Sequence, residues 1–350
     1  MGKERENPSV NHSQAISTEG FPETTGAAIE ALPDRLNRYT RSKQRSREMS
    51  RFIETIPETP FRKGISNKKL ALLLHECANF LLFRHYYTVD QLRCIKGSFC
   101  QKHLLCPVCA LRRGGRLVAA YLEKYNQVKK ENPGLLEFMV VLTVRHDSQS
   151  DLSERFDHLR RGIKLLNQRM RDSKRGKGLV SEFAKVKGYV GSIEVTKGKN
   201  GWHPHVNLYL LCDKPLEKGW LIHEWAGITG DSKIIHCEPA RHPDQPGLDL
   251  CEVMKYALKM ADLSLEDNWS AYQVLKGKRL VFSAGCLRGV KVPERLEDET
   301  LSDDLPYMDL LYRYMQGKGY CFRGSLHKDD RPMEIRMEDM EQQGRNETPF

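Results

Sequence analysis

Residues able to do chemistry cluster in a few stretches of this 350-residue chain. The first is Gly201-Trp202-His203-Pro204-His205-Val206-Asn207. Side chains two apart on a strand share a face, so His203, His205 and Asn207 point the same way if this segment is extended. The β-forming run Leu208-Tyr209-Leu210-Leu211 that follows favours an extended segment. Two neutral imidazoles and an amide oxygen aimed at one point can hold a divalent metal ion. The bland alternative is a strand with two incidental surface histidines.

The second stretch carries Glu252, Lys255, Tyr256 and Lys259. On a helix over 249–260 these positions share one face, which then offers a carboxylate, two ammonium groups and a phenol. A solubilising charge pattern with a half-buried tyrosine is the plain reading of the same residues. The third stretch is Cys94-x5-Cys100-x2-His103-x2-Cys106-Pro107-Val108-Cys109. Cys106 and Cys109 have the spacing at which two thiolates reach one tetrahedral zinc ion from a tight turn. Cys94 and Cys100 complete a four-thiolate set, with His103 as the substitute ligand. Such a closed site is structural, because no coordination position stays open for reaction.

Elements must position these groups. Apolar β-formers over 138–144 read as a buried strand, and 189–196 as a second strand that turns into the histidine strand. A hairpin that pairs Thr196 with His203 sets Glu194 opposite His205 on the same face and adds a carboxylate to the imidazoles. Asp151 caps a helix with Glu154 as its capping-box partner, and Phe156, Leu159, Ile163, Leu166 and Met170 form its apolar stripe. Arg160, Arg161 and Lys164 lie on the exposed side of that helix. Further helices are expected over 67–83, 111–130, 216–226 and 305–315, and short strands over 232–237 and 319–323. Residues 1–60 lack periodicity and read as a disordered tail. Residues 61–134 form a helical segment with the cysteine site, 135–290 the main α+β domain, and 291–350 an extension with a charged tail.

Composition narrows the partners. Lys and Arg number 56 against 46 Asp and Glu, for a net charge of +10. Between Glu154 and Lys187 there are 11 Lys/Arg against 4 Asp/Glu, a local field suited to DNA or RNA. No apolar run is long enough to span a bilayer, and the N-terminus lacks the apolar centre of a secretory signal. A cytoplasmic location follows, where cysteines stay reduced and a cluster of them signals metal rather than disulfides.

Together these motifs resemble the rolling-circle replication initiators of small bacterial plasmids, which are HUH endonucleases. The resemblance covers roughly Cys94 to Gly289. Its parts stand in family order: Cys106-Pro107-x-Cys109, the strand 138–144, Glu194-x-Thr196 with Gly201-Trp202-His203-Pro204-His205, and Glu252-x3-Tyr256-x2-Lys259. Lys278-Arg279 and Ser283-x-Gly285 add to it. The family commonly has a histidine where this chain has Asn207, and the metal pair is therefore assigned to His203 and His205. The resemblance implies an α/β palm, a central antiparallel sheet with helices on one side and the Tyr256 helix across the metal face. It implies Mg²⁺ or Mn²⁺ held by His203, His205 and Glu194, attack by Tyr256 on one strand of origin DNA, and a covalent link to the 5′ phosphate. Glu252 would serve as general base, and Lys255 and Lys259 would hold phosphate charge. Arg160, Arg161, Lys164 and the zinc segment would contact the origin, with a host helicase and DNA polymerase as partners. An HUH transposase or relaxase, and a non-catalytic zinc-containing DNA-binding regulator, are the alternatives.

Overall fold

A helix pair opens the structure where a disordered tail was expected. The computed structural model describes residues 26–58, 65–255, 259–302 and 304–328. Within the first of these, α1 (Ala27–Glu30) leads into α2 (Leu32–Thr55). Leu32, Leu36, Tyr39, Lys43, Ser46, Ser50 and Ile53 recur at helical spacing and are all buried. Three of the seven are polar, which hides the stripe from a hydrophobicity pattern. The next helix, α3 (Asn67–Glu76), is capped by Ser66, whose hydroxyl accepts from Lys69 N, and it ends earlier than expected. The β-branched and aromatic residues beyond it pair instead as strands β1 (Phe80–Tyr86) and β2 (Gln91–Gly97).

The chain divides into two compact units, with the described parts of Met1–Thr40, Phe80–Lys96 and Glu299–Phe350 in one and Arg41–Asn79 and Gly97–Asp298 in the other. The first unit holds a four-stranded sheet in the order β2-β1-β8-β9, where β8 is Met308–Met315 and β9 is Gly319–His327. β8 replaces the expected helix over 305–315. Its pairing with β1 buries Asp309, which Arg84 meets with two hydrogen bonds of 2.7 and 2.8 Å.

The second unit is the α+β domain. After α4 (Pro107–Glu131) come β3 (Leu136–Thr143), α5 (Leu152–Lys174), β4 (Val186–Gly198), β5 (Gly201–Cys212), α6 (Lys218–Thr229), β6 (Ile235–Pro239), α7 (Pro246–Met254), α8 (Leu265–Leu275) and β7 (Val281–Gly285). The five strands form an antiparallel sheet in the order β6-β3-β5-β4-β7. Asp151 caps α5 by accepting from Glu154 N at 3.1 Å. The helices cover both faces. Tyr189 donates its hydroxyl to Asn167 on α5, while Ser192, three residues along the same strand and so on the other face, donates to the carbonyl of Val253 on α7. α6 crosses α5 at Gly162, where a Cβ would stand 2.7 Å from the Trp225 ring.

Candidate active site and cysteine cluster

The site is set by strand register. Thr196 lies opposite His203, Glu194 opposite His205 and Ser192 opposite Asn207, as the hairpin reading requires. Thr143 and Val141 of β3 flank His205 and Asn207 from the other side, and His236 of β6 sits beyond Val141. All these positions share the face crossed by α7. Glu194 is buried, with His205 Nε2 3.7 Å from its Oε1 and the Asn207 amide donating to its Oε2 at 3.1 Å.

These groups open onto a cavity of about 300 Å³. Glu194, His205 and Asn207 line its floor, His236 and Glu238 its β6 side, and Asp249, Glu252, Lys255 and Lys259 its helical side. His203 stands beside the cavity rather than in its lining. Its ring stacks on His146 with centroids 4.4 Å apart and lies 5.0 Å from the His205 ring. Burial, with His205 and His146 as neighbours, pushes its pKa down to about 4, so it is neutral at physiological pH. Of the three expected metal ligands, Glu194 and His205 line the cavity with Asn207, and His203 stands at its edge beside His205.

α7 ends at Met254, and Lys255 caps it. Lys255 forms an ion pair with Glu252. Tyr256 lies outside the described residues, between Lys255 and Lys259, both of which line the cavity. His236, Glu238, Arg241 and Asp249 are lining residues that spacing alone did not mark. The alternation of His236 and Glu238 along a short strand was the available signal. Asp249 is buried and accepts from both Nδ1 and the backbone N–H of His242 at 3.0 Å.

The thiols converge in a different set from the expected one. Cys77, Cys100, Cys106 and Cys109 have their sulfurs within 4.8 Å of one another, a group that could hold a metal ion. Sulfur separations of 3.5 Å for Cys77–Cys109, 3.4 Å for Cys77–Cys106 and 3.6 Å for Cys100–Cys109 approach the spacing of about 3.8 Å that a tetrahedral zinc–thiolate site implies. Cys94 is not a member: it is buried in β2, where its thiol faces Lys96 O at 3.9 Å. Cys77 takes its place from the C-terminal end of α3, a position that reads in sequence as part of that helix's apolar stripe. Burial opposes a thiolate at Cys106, but hydrogen bonding with the other three thiols and Ser46 outweighs it and holds this thiol below its ordinary range. His103 stays outside the cluster, and burial beside Arg113 pushes its pKa down to about 4.

The basic residues also separate. Lys255 reaches the cavity, whereas Arg160, Arg161 and Lys164 are exposed on α5, across the sheet from it.

An antiparallel sheet with a half-buried histidine beside a buried carboxylate, roofed by a helix that brings Glu252 and ends on Lys255, defines an α+β protein with a mixed-charge cleft. The chain belongs to the family described as Replication protein, whose model matches residues 91–312, and this makes it a plasmid replication initiator. No curated protein and no solved structure matches it. Among the described residues no helix is long and apolar enough to cross a membrane.

Proposed function

We propose that the protein nicks one strand of plasmid DNA at the double-strand origin, with Tyr256 as nucleophile, and so starts and terminates rolling-circle replication. The observation that supports this reading is the shared cavity: Glu194, His205 and Asn207 line it together with Glu252, Lys255 and Lys259, the charged residues around Tyr256. In the proposed step the Tyr256 oxygen bonds to the scissile phosphorus and the bond from phosphorus to the 3′ oxygen breaks. The protein is left joined to the 5′ phosphate, and the released 3′ oxygen takes up a proton as a hydroxyl. A phenol with a pKa of about 10 needs help to react at neutral pH. Glu252 accepts its proton, and at termination accepts one from water instead. Lys255 and Lys259 hold phosphate charge, so Lys255 exchanges its Glu252 partner for substrate.

His205 and Glu194, with Asn207 beside them, would hold Mg²⁺ or Mn²⁺, ions that suit an imidazole and carboxylate oxygen and keep several waters. When bound, the ion polarises the scissile phosphate. Cavity lining favours His205 with Glu194 over His203 as the ligands. Zn²⁺ in the four-cysteine cluster is structural. The sequence has no phosphate-cradling P-loop, so a host helicase unwinds the duplex and a host polymerase extends the 3′ end.

The test is incubation of the protein with supercoiled plasmid carrying its own origin, with Mn²⁺ or EDTA, followed by denaturing electrophoresis. Metal-dependent nicking with DNA retained on the protein, lost in Tyr256→Phe, is expected. A Tyr256→Phe protein that nicks like the parent moves the nucleophile elsewhere. Binding with no nick or adduct leaves a zinc-containing DNA-binding protein.

A further inference from the structure

The cysteine cluster does not end at its sulfurs. Lys43, on α2, is the only buried lysine among the described residues. Its ammonium donates to His75 O at 2.5 Å, Cys77 O at 2.6 Å and Asn79 Oδ1 at 2.8 Å. These acceptors belong to the segment at the end of α3 that presents Cys77. One turn along α2, Ser46 Oγ lies 3.1 Å from Leu74 O and 3.5 Å from Cys106 Sγ. A turn further, Ser50 donates to Ala71 O at 2.7 Å. One face of α2 is therefore fastened to α3 by polar bonds aimed around the cluster.

Charge gives these bonds their meaning. An ammonium buried against the Cys77 segment is stabilised by any negative charge that the neighbouring sulfurs carry. Four thiolates around Zn²⁺ carry a net charge of about −2 and need a nearby cation when water is excluded. Each of the two buried charges thus lowers the cost of burying the other.

We propose that Lys43 and Ser46 form the outer shell of the zinc site, so that ion binding and the seating of the α2 segment 41–55 against α3 are one event. Lys43 acts as a positioning residue, through its bond to the Cys77 carbonyl. Ser46 turns its one hydroxyl proton from the Leu74 carbonyl to the Cys106 thiolate and relieves part of its charge. This rests on the reading that the four cysteines hold zinc.

The experiment uses the full chain. Zinc content and the rate of zinc transfer to a chromogenic chelator are measured for the parent, Lys43→Met and Ser46→Ala. Trypsin cleavage at Arg45, Arg47 and Arg51 on α2 is followed before and after zinc removal, with cleavage at Arg160 and Arg161 on α5 as the control. Zinc loss about tenfold faster in Lys43→Met, a smaller change in Ser46→Ala, and opening of the α2 sites alone on chelation are expected. The proposal falls if chelation leaves the α2 sites protected, if the α5 sites open with them, or if both variants release zinc at the parental rate. The chelation result on the parent decides the matter even where Lys43→Met fails to fold. A parent chain that binds no zinc overturns the zinc reading itself, and this inference with it.

Discussion

At the residue scale the asparagine is the informative departure. Asn207 donates to Glu194 in a position where an imidazole could instead coordinate, and an amide oxygen is a weaker ligand than imidazole for Mn²⁺. Asn207→His should lower the Mn²⁺ concentration that half-saturates nicking, by roughly tenfold if ligand strength limits it. His205→Ala should remove nicking at any Mn²⁺ level, while His203→Ala keeps most of it. Equal losses from both alanines would return His203 to the ligand set. His203 also carries a pH signature. Its folded pKa of about 4 lies below its ordinary 6.5, so between those values the unfolded chain binds the extra proton. Stability therefore falls as pH drops from 6.5 to 4 and levels off below. In a half-buried site this is worth about 1–2 kcal/mol after solvent screening. Urea unfolding of His203→Gln against the parent across that window, both treated with EDTA, should show the flatter curve in the variant.

At the element scale, the cysteine site joins the end of α3 to the start of α4. Cys77→Ser should lose stoichiometric zinc, and Cys94→Ser should keep it, as read by metal analysis of the purified proteins. The contrast shows what was legible in the sequence. Cys106 and Cys109 are close along the chain, so their spacing constrains their geometry. Cys77 is brought in by tertiary packing and sits in an apolar helical stripe, where cysteine behaves as any small hydrophobe. The register of Glu194 against His205 was readable, because a short turn and a period of two leave few pairings. The α2 helix was not, because its buried stripe includes Lys43, Ser46 and Ser50, whose partners are backbone groups of α3 or the residues just after it. Position β8 was equally ambiguous: its apolar residues suit either period, and only the Arg84 partner explains Asp309 inside a sheet.

At the scale of the whole molecule, the basic residues singled out in the sequence stand on opposite faces of the larger sheet. Lysines 255 and 259 stand at the cavity, while Arg160, Arg161 and Lys164 stand on the far side of the sheet. The far group is suited to backbone phosphates of an origin duplex rather than the strand being cut. Replacing all three by glutamate should weaken duplex origin binding and shrink its salt dependence, by a slope of about 3 for three lost phosphate contacts. Cleavage of a short single-stranded oligonucleotide should change much less. Equal losses on both substrates would place these residues on the path of the cleaved strand.

The sheet order β2-β1-β8-β9 also has a consequence for how the protein is made. Residues Phe80–His85 pair with Met308–Arg313, so β1 leaves the ribosome long before its neighbour exists. All five strands of the larger sheet and the helices that cover it are synthesised within that interval. A chain released early would carry all the cavity-lining residues but leave the edge of β1 bare, a strand edge ready to join another chain. Translation that stalls before Met308 should therefore yield a self-associating product.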